Sequence, residues 1–154
     1  MFGLLALLLV VSPPHFRAAP GWHIGSRPAA ACPGVSSSRC VQASGWASTV
    51  RYRDCPDCVP PHRTLFHLPR AGIVIQLTNA REHPARAPLG TWPPLIRRKD
   101  LIAAGGESIP RSVSYARWFI RSGGIEHDLW VWFGRLHPTR QGLARANAEL
   151  RTGR

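Results

Sequence analysis

The chain has 154 residues, with 20 lysines and arginines against 8 aspartates and glutamates, which gives a formal net charge of +12. This length supports one domain with a modest core. All of the basic residues except Lys99 are arginine, and with abundant alanine, glycine and proline this bias is typical of GC-rich bacterial coding.

The arginine excess has two interpretations. Arginine can be the default surface cation of a GC-rich genome, with no functional demand on the charge. It can also form an anion-binding surface for nucleic acid, anionic lipid or a cell-wall polymer. The basic residues are dispersed along the chain, and the densest run, Arg97-Arg98-Lys99, is followed at once by Asp100.

An apolar run of ten residues, Phe2–Val11, opens the sequence. It is too short to span a bilayer, which takes about 20 residues, but it has the length of a signal-peptide hydrophobic region. We therefore predict a signal peptide at 1–19, no transmembrane span, and a location outside the cell or in the cell envelope. No basic residue precedes the run, and cleavage after Ala19 leaves Arg17 three residues before the cut. The alternatives are a buried or interfacial N-terminal helix in a cytoplasmic protein and an incorrectly assigned start.

Residues 20–47 are rich in proline, glycine, serine and alanine and contain few large apolar side chains. Such a composition buries too little surface to offset the entropy of ordering the chain, so we predict a low-order arm. The ordered, β-rich domain is then expected over 48–154. Alternating or β-branched residues predict three short strands before the main hairpin, at Ser48–Arg53, Thr64–Leu68 and Ile73–Thr78.

The most informative stretch is Val113–Phe133, where period-2 alternation, aromatic residues and a two-glycine turn coincide. It predicts a β-hairpin that turns at Gly123–Gly124. In this register three cross-strand pairs on one face are all attractive: an ion pair, a cation over an indole, and an aromatic pair. A turn one residue earlier keeps the same faces but places Arg117 against Asp128. The three pairs are Arg121–Glu126, Arg117–Trp130 and Tyr115–Trp132.

The chain beyond Pro138 has the pattern of an amphipathic helix. The stripe expected to pack on the sheet is Leu143, Ala146, Asn147 and Leu150, whereas Arg140, Arg145 and Glu149 are expected in solvent. The predicted fold class is therefore α+β: a small antiparallel sheet of four or five strands, built around a β-hairpin in the C-terminal half, with one C-terminal helix packed on the sheet.

The four cysteines, Cys32, Cys40, Cys55 and Cys58, allow three disulfide pairings. Disulfides are the default in an exported protein, so all four are disulfide candidates. The Cys55–Cys58 spacing is also that of a redox motif, but the Val59-Pro60-Pro61 segment disfavours the helix that would lower a thiol pKa. We therefore do not expect a catalytic dithiol. A zinc site with the same four cysteines is the cytosolic alternative, and no other cofactor is indicated.

An aromatic and basic strip is predicted on one face of the hairpin, formed by Tyr115, Arg117, Trp130 and Trp132. Such a strip is a candidate surface for stacking bases or sugar rings. The alternative is that a helix or a second layer covers it. The carboxylates of Glu126 and Asp128 share this face, and the hairpin places arginine opposite it. This arrangement favours ion pairs over acid–base catalysis. No nucleophile elbow, phosphate loop, dinucleotide fingerprint or calcium loop is present in the sequence.

These features predict a non-catalytic exported domain that is structural or binds an anionic or polymeric partner in the cell envelope or outside it. Sequence-specific nucleic-acid recognition is not expected, because no base-reading module is visible. The alternative is an intracellular, zinc-stabilised nucleic-acid-binding protein. An enzyme is the least supported class, since it depends only on the spacing of Cys55 and Cys58.

Overall fold

The structure is a computed structural model that describes residues 15–29, 43–55, 58–79, 88–106, 109–122 and 125–153. Within these residues the chain forms one mixed sheet of seven strands, two α-helices and a short 3-10 turn at Arg98–Asp100. Neither described α-helix is both long enough and apolar enough to cross a membrane. The elements are β1 (His23–Arg27), β2 (Ser44–Ser48), α1 (His62–Phe66), β3 (Ile73–Asn79), β4 (Leu89–Thr91), β5 (Ile102–Ala103), β6 (Ser114–Ser122), β7 (Ile125–Phe133) and α2 (Arg140–Leu150).

The strand order is β1-β2-β3-β7-β6-β4, and β5 also pairs with β6. All neighbouring strands are antiparallel except β4, which runs parallel to β6. The predicted combination of a sheet with one C-terminal helix is present. The sheet itself is larger than expected and mixed, rather than a small antiparallel sheet of four or five strands. The additional strands β1, β2 and β4 are short and carry little of the apolar alternation that marks a strand in a sequence.

The hairpin of β6 and β7 lies next to β3 and forms the centre of the sheet with it. Its strands pair in the register expected from a turn at Gly123–Gly124, although the two turn glycines lie outside the described residues. The observed partners include Arg121 with Glu126, Arg117 with Trp130, and Tyr115 with Trp132.

The main core lies between the sheet and α2. Inward residues of β3 and β7 form its floor, because alternate side chains of a strand point to one face. Trp118 also lies on this face but is only partly buried, whereas its strand neighbour Ile120 is fully buried. The buried members from the three central strands are Ile73, Ile75, Leu77, Ile120, Leu129, Val131 and Phe133, and α2 adds Ala146 and Leu150.

Helix α2 begins where Thr139 caps it, since the Oγ1 of Thr139 accepts a hydrogen bond from the N–H of Gly142 at 3.0 Å. The predicted inward stripe is confirmed, and its one polar member has a specific partner. Asn147 Oδ1 accepts from the Ile96 N–H at 2.8 Å, and Asn147 Nδ2 donates to the Ile96 carbonyl at 3.1 Å. Asn147 therefore fixes the loop after β4 against the helix.

Residues from the predicted signal peptide and arm take part in the fold. Phe16 is only 2% exposed and belongs to the main core, with its ring centroid 6.4 Å from that of Trp92. Strand β1 and most of β2 are formed by residues within 20–47, so the sheet extends into the segment whose composition predicts a low-order arm. At Gly25 a Cβ atom would overlap the indole of Trp46, so this glycine lets the ring lie over β1. The apolar run Phe2–Val11 lies outside the described residues.

The predicted strand at Thr64–Leu68 is wrong, because Thr64 and Leu65 belong to α1. The cause is a carboxylate ten residues earlier. Asp54 accepts hydrogen bonds from the N–H groups of Arg63 at 3.1 Å and Thr64 at 2.7 Å, and these donors have no partner within the helix itself. The pattern of apolar and polar residues at 64–68 carries no information about this contact, so hydrophobic periodicity could not predict the helix.

Candidate functional site

The structure places the four residues of the predicted strip on one face of the hairpin. The indoles of Trp130 and Trp132 are stacked, with centroids 5.2 Å apart and planes inclined by 4°. The ring of Tyr115 lies 5.3 Å from the first indole and 5.0 Å from the second. Arg117 continues the row, with its guanidinium 4.3 Å from the centroid of Trp130 and 4.5 Å from that of Phe119.

The positive charges of this face are neutralised within the hairpin. Arg117 makes two hydrogen bonds to the carboxylate of Asp128, both of 2.8 Å, and the guanidinium of Arg121 bonds to Glu126 at 2.5 Å. A bidentate arginine–carboxylate pair is a strong, geometrically specific contact. The two carboxylates are therefore ion-pair partners of the hairpin arginines, and the strip does not contribute a net positive surface.

One end of the strip is covered and the other is open. Trp132 is 2% exposed because it belongs to a second core cluster on this face, whose other members include Leu65 of α1. Tyr115 and Trp130 are partly exposed, and Arg117 is exposed. The predicted alternatives thus each describe part of the face: a cover over Trp132 and accessible groups beyond it.

The Cys55–Cys58 segment is attached to the centre of the same face. The two sulfurs are joined in a disulfide. Gln76 Nε2, on β3, donates to the carbonyl oxygen of Cys58 at 2.8 Å and to the hydroxyl of Tyr52 at 2.6 Å. The Tyr52 ring stacks on Trp46 with centroids 4.3 Å apart. These contacts hold Cys58 against β3, and neither cysteine lies at the start of a described helix, since α1 begins at His62.

No metal centre is formed by the described part of the chain. No group of three or more histidine, cysteine, aspartate or glutamate side chains within it is placed to bind an ion. Cys32 and Cys40 lie outside the described residues, so the four-cysteine zinc site stays a prediction. In the disulfide form, Cys55 and Cys58 lack the thiolates that zinc requires.

The remaining described carboxylates are also used within the protein. Asp54 binds the start of α1, and Asp100 Oδ2 accepts from the Arg97 N–H at 2.8 Å. Glu149, which the helix pattern predicts in solvent, is instead 2% exposed, and burial raises the pKa of its carboxyl group. A hydrogen bond from Thr152 and the charge of Arg145 oppose this rise with smaller effects.

A basic groove lies where β3 begins, β7 ends and α2 starts. We use this name for a cavity of about 340 Å³, lined by Arg70, Arg135 and Arg145, and an adjoining cavity of about 300 Å³ that shares Arg70 and Arg135 and adds His137. Neither cavity has a carboxylate in its lining. The groove therefore brings together three arginine residues with no carboxylate in its lining, although Arg145 also interacts electrostatically with Glu149, which lies outside the lining.

Sequence reasoning missed the basic groove because its arginines are distant from one another along the chain. Arg70 belongs to a turn before β3, Arg135 follows β7, and Arg145 lies on α2. Each is an isolated arginine in its own segment. The three therefore form a cluster only in the folded protein, and the sequence shows them as dispersed charges. The one local signal is the turn Pro69–Gly72, which places Arg70 just before the predicted strand Ile73–Thr78.

Comparisons of the chain with known protein families, with curated proteins and with solved structures found no match. Its function is therefore inferred from its own residues.

Proposed function

We propose that this protein is a non-catalytic, exported domain that binds an anionic polymer through arginine side chains. The observation that carries the proposal is the use of carboxylates. Every described aspartate and glutamate has an internal role, whereas Arg51, Arg63 and Arg140 are exposed and form no ion pair with a described carboxylate. The chain has 20 basic and 8 acidic residues. Part of its excess positive charge therefore lies on the protein surface without an acidic partner.

The disulfide supports export over the zinc-stabilised alternative. Disulfides persist in oxidising compartments and are rare in the cytosol. The Cys55–Cys58 bond is tied to the sheet through Gln76, which indicates a structural role. The zinc-stabilised nucleic-acid-binding protein needs these same sulfurs as thiolates.

The expected binding is electrostatic and weakly selective. A protein that neutralises phosphate or carboxylate groups with arginines releases counterions, so the logarithm of its binding constant falls linearly with the logarithm of salt concentration. A protein that reads a base sequence instead keeps a large preference for its site at physiological salt. The strip on the hairpin does not alter this expectation, because its one arginine, Arg117, is already paired with Asp128.

The proposal is tested by titrating salt against binding to duplex DNA, RNA and an anionic polysaccharide at equal concentrations of polymer charge. We expect comparable affinities that decrease together as salt increases. A strong preference for one nucleic-acid sequence at physiological salt would refute the proposal and favour the intracellular alternative. The absence of binding to all three polymers at low salt would also refute it.

A further inference from the structure

The basic groove differs from the rest of the described surface because three arginines from separate segments line one concave, partly open volume. We propose that the groove binds a phosphoryl group, an inference that rests on the proposed function because the phosphoryl group would belong to the anionic polymer. Three guanidinium groups from three separate elements line one cavity of about 340 Å³, and no carboxylate lines it. That volume lies at the lower end of the range of about 300–1,000 Å³ that is usual for small-ligand sites.

The two arginines shared by both cavities are set at a fixed spacing by the backbone. Arg70 lies in the turn that Gly72 closes with an N–H bond to the Pro69 carbonyl at 2.7 Å. This turn is joined to the end of β7, because the Gly134 N–H donates to the Gly72 carbonyl at 3.0 Å. A Cβ atom on Gly134 would overlap the Pro69 carbonyl, so the backbones approach closely only because residue 134 is glycine.

Arg135 follows Gly134 directly, and its backbone is fixed as well. Its carbonyl oxygen accepts a hydrogen bond of 2.8 Å from the hydroxyl of Ser114 on β6. The backbone atoms that carry both side chains are therefore bonded into the edge of the central strands. Fixed donors bind a ligand with less loss of conformational entropy than donors on a mobile loop.

Arg145 is oriented by the N-terminal part of the described chain. Its guanidinium donates to the Gly21 carbonyl at 2.9 Å and lies 5.3 Å from the centroid of the Trp22 ring. A guanidinium group has five N–H donors, so one bond to a carbonyl leaves the others available for a ligand. The planar fork of arginine matches the oxygens of both carboxylate and phosphoryl groups. A phosphoryl group offers three acceptor oxygens and more than one negative charge to three arginines, which favours it over a carboxylate.

The first experiment measures the binding of inorganic pyrophosphate to the full chain by calorimetry at low salt. We expect Arg70→Gln and Arg135→Gln each to weaken binding by about tenfold or more, as loss of a hydrogen bond to a charged group does. Arg98→Gln is the matched control, since it removes one charge from an exposed site outside both cavities. We expect it to weaken binding by less than about twofold. Equal losses in all three variants, or no pyrophosphate binding by the unmodified protein, would overturn the assignment of the site.

The second experiment separates this inference from the proposed function. The affinities of the same three variants for polyphosphate, duplex DNA and polyglutamate are measured at one salt concentration. The affinity for polyphosphate and DNA should decrease more in Arg70→Gln and Arg135→Gln than in Arg98→Gln. The affinity for polyglutamate should not differ in this way between the variants. If all polymers bind but the variants behave alike, the groove is not a phosphoryl site and the polymer proposal survives. If pyrophosphate binds in the groove but no polymer binds, the site stands and the proposed function fails.

Discussion

Phe16 provides a sharp test of where the folded protein begins. Its ring is 2% exposed and lies in the main core beside Trp92. Burying such a ring removes about 150–250 Å² from water, which at about 25 cal/mol per Å² is an upper estimate of about 4–6 kcal/mol. Truncation of buried phenylalanine to alanine costs about 3–5 kcal/mol. We therefore expect Phe16→Ala to lower the free energy of unfolding by that amount and the melting temperature by about 6–20 °C.

The matched control is Phe66→Ala, because the Phe66 side chain is 67% exposed. This variant should change the free energy of unfolding by less than about 0.5 kcal/mol. Urea denaturation of the two variants and the unmodified chain, followed by tryptophan fluorescence, gives the comparison directly. Equal midpoints for Phe16→Ala and the unmodified chain would refute the placement of this segment in the core. The intact mass of the protein from its host then decides whether cleavage after Ala19 removes Phe16 from the mature chain.

Three further predictions concern other buried or bonded groups. Because burial raises the pKa of Glu149 above its ordinary value of 4.5, ionisation destabilises the folded state as pH rises through the raised pKa. Glu149→Gln should therefore raise the urea midpoint at pH 8, and the gain should vanish below the ordinary pKa; a gain that persists in acid would contradict this. Asn147→Ala should lower the free energy of unfolding by at least about 2 kcal/mol, because it leaves both buried polar groups of Ile96 without their bonds. Purified protein should not reduce insulin, because Cys55 is not at a helix start; turnover that is lost in Cys55→Ser would contradict the absence of dithiol catalysis.

The hairpin was the most predictable element because several independent signals agree on it. A shift of β6 by one residue along β7 would move every inward side chain of β6 to the other face. The same shift would separate Arg121 from Glu126 and Tyr115 from Trp132, so charge and packing select one alignment. Helix α2 was predictable for a similar reason. Ala146 and Leu150 repeat at the helical period, and Pro138 precedes the helix, where proline is favoured.

The parts that could not be predicted depend on contacts between distant segments. Strand β1 contains Gly25 and exposes most of its side chains, so it forms by pairing with β2 and not by local propensity. Glu149 is buried at the end of α2 although its side chain is ionisable, and the Thr152 hydroxyl donates a hydrogen bond to its carboxyl group. The basic groove likewise exists only once the turn at Arg70 has docked on the end of β7.

The order of the strands also determines when the protein can fold during its synthesis. The central strands β3 and β7 are separated along the chain by β4, β5 and β6. The two ends of the described chain meet as well, since the Arg17 N–H donates to Thr152 Oγ1 at 3.2 Å. The C-terminal end also contacts the middle of the chain, because Trp92 Nε1 donates to the Gly153 carbonyl at 3.0 Å. Contacts between such distant residues require closure of large loops, and this slows folding. A nascent chain that ends before β7 has neither its central strand pair nor its main core, so it remains unfolded until the last strand and α2 have left the ribosome.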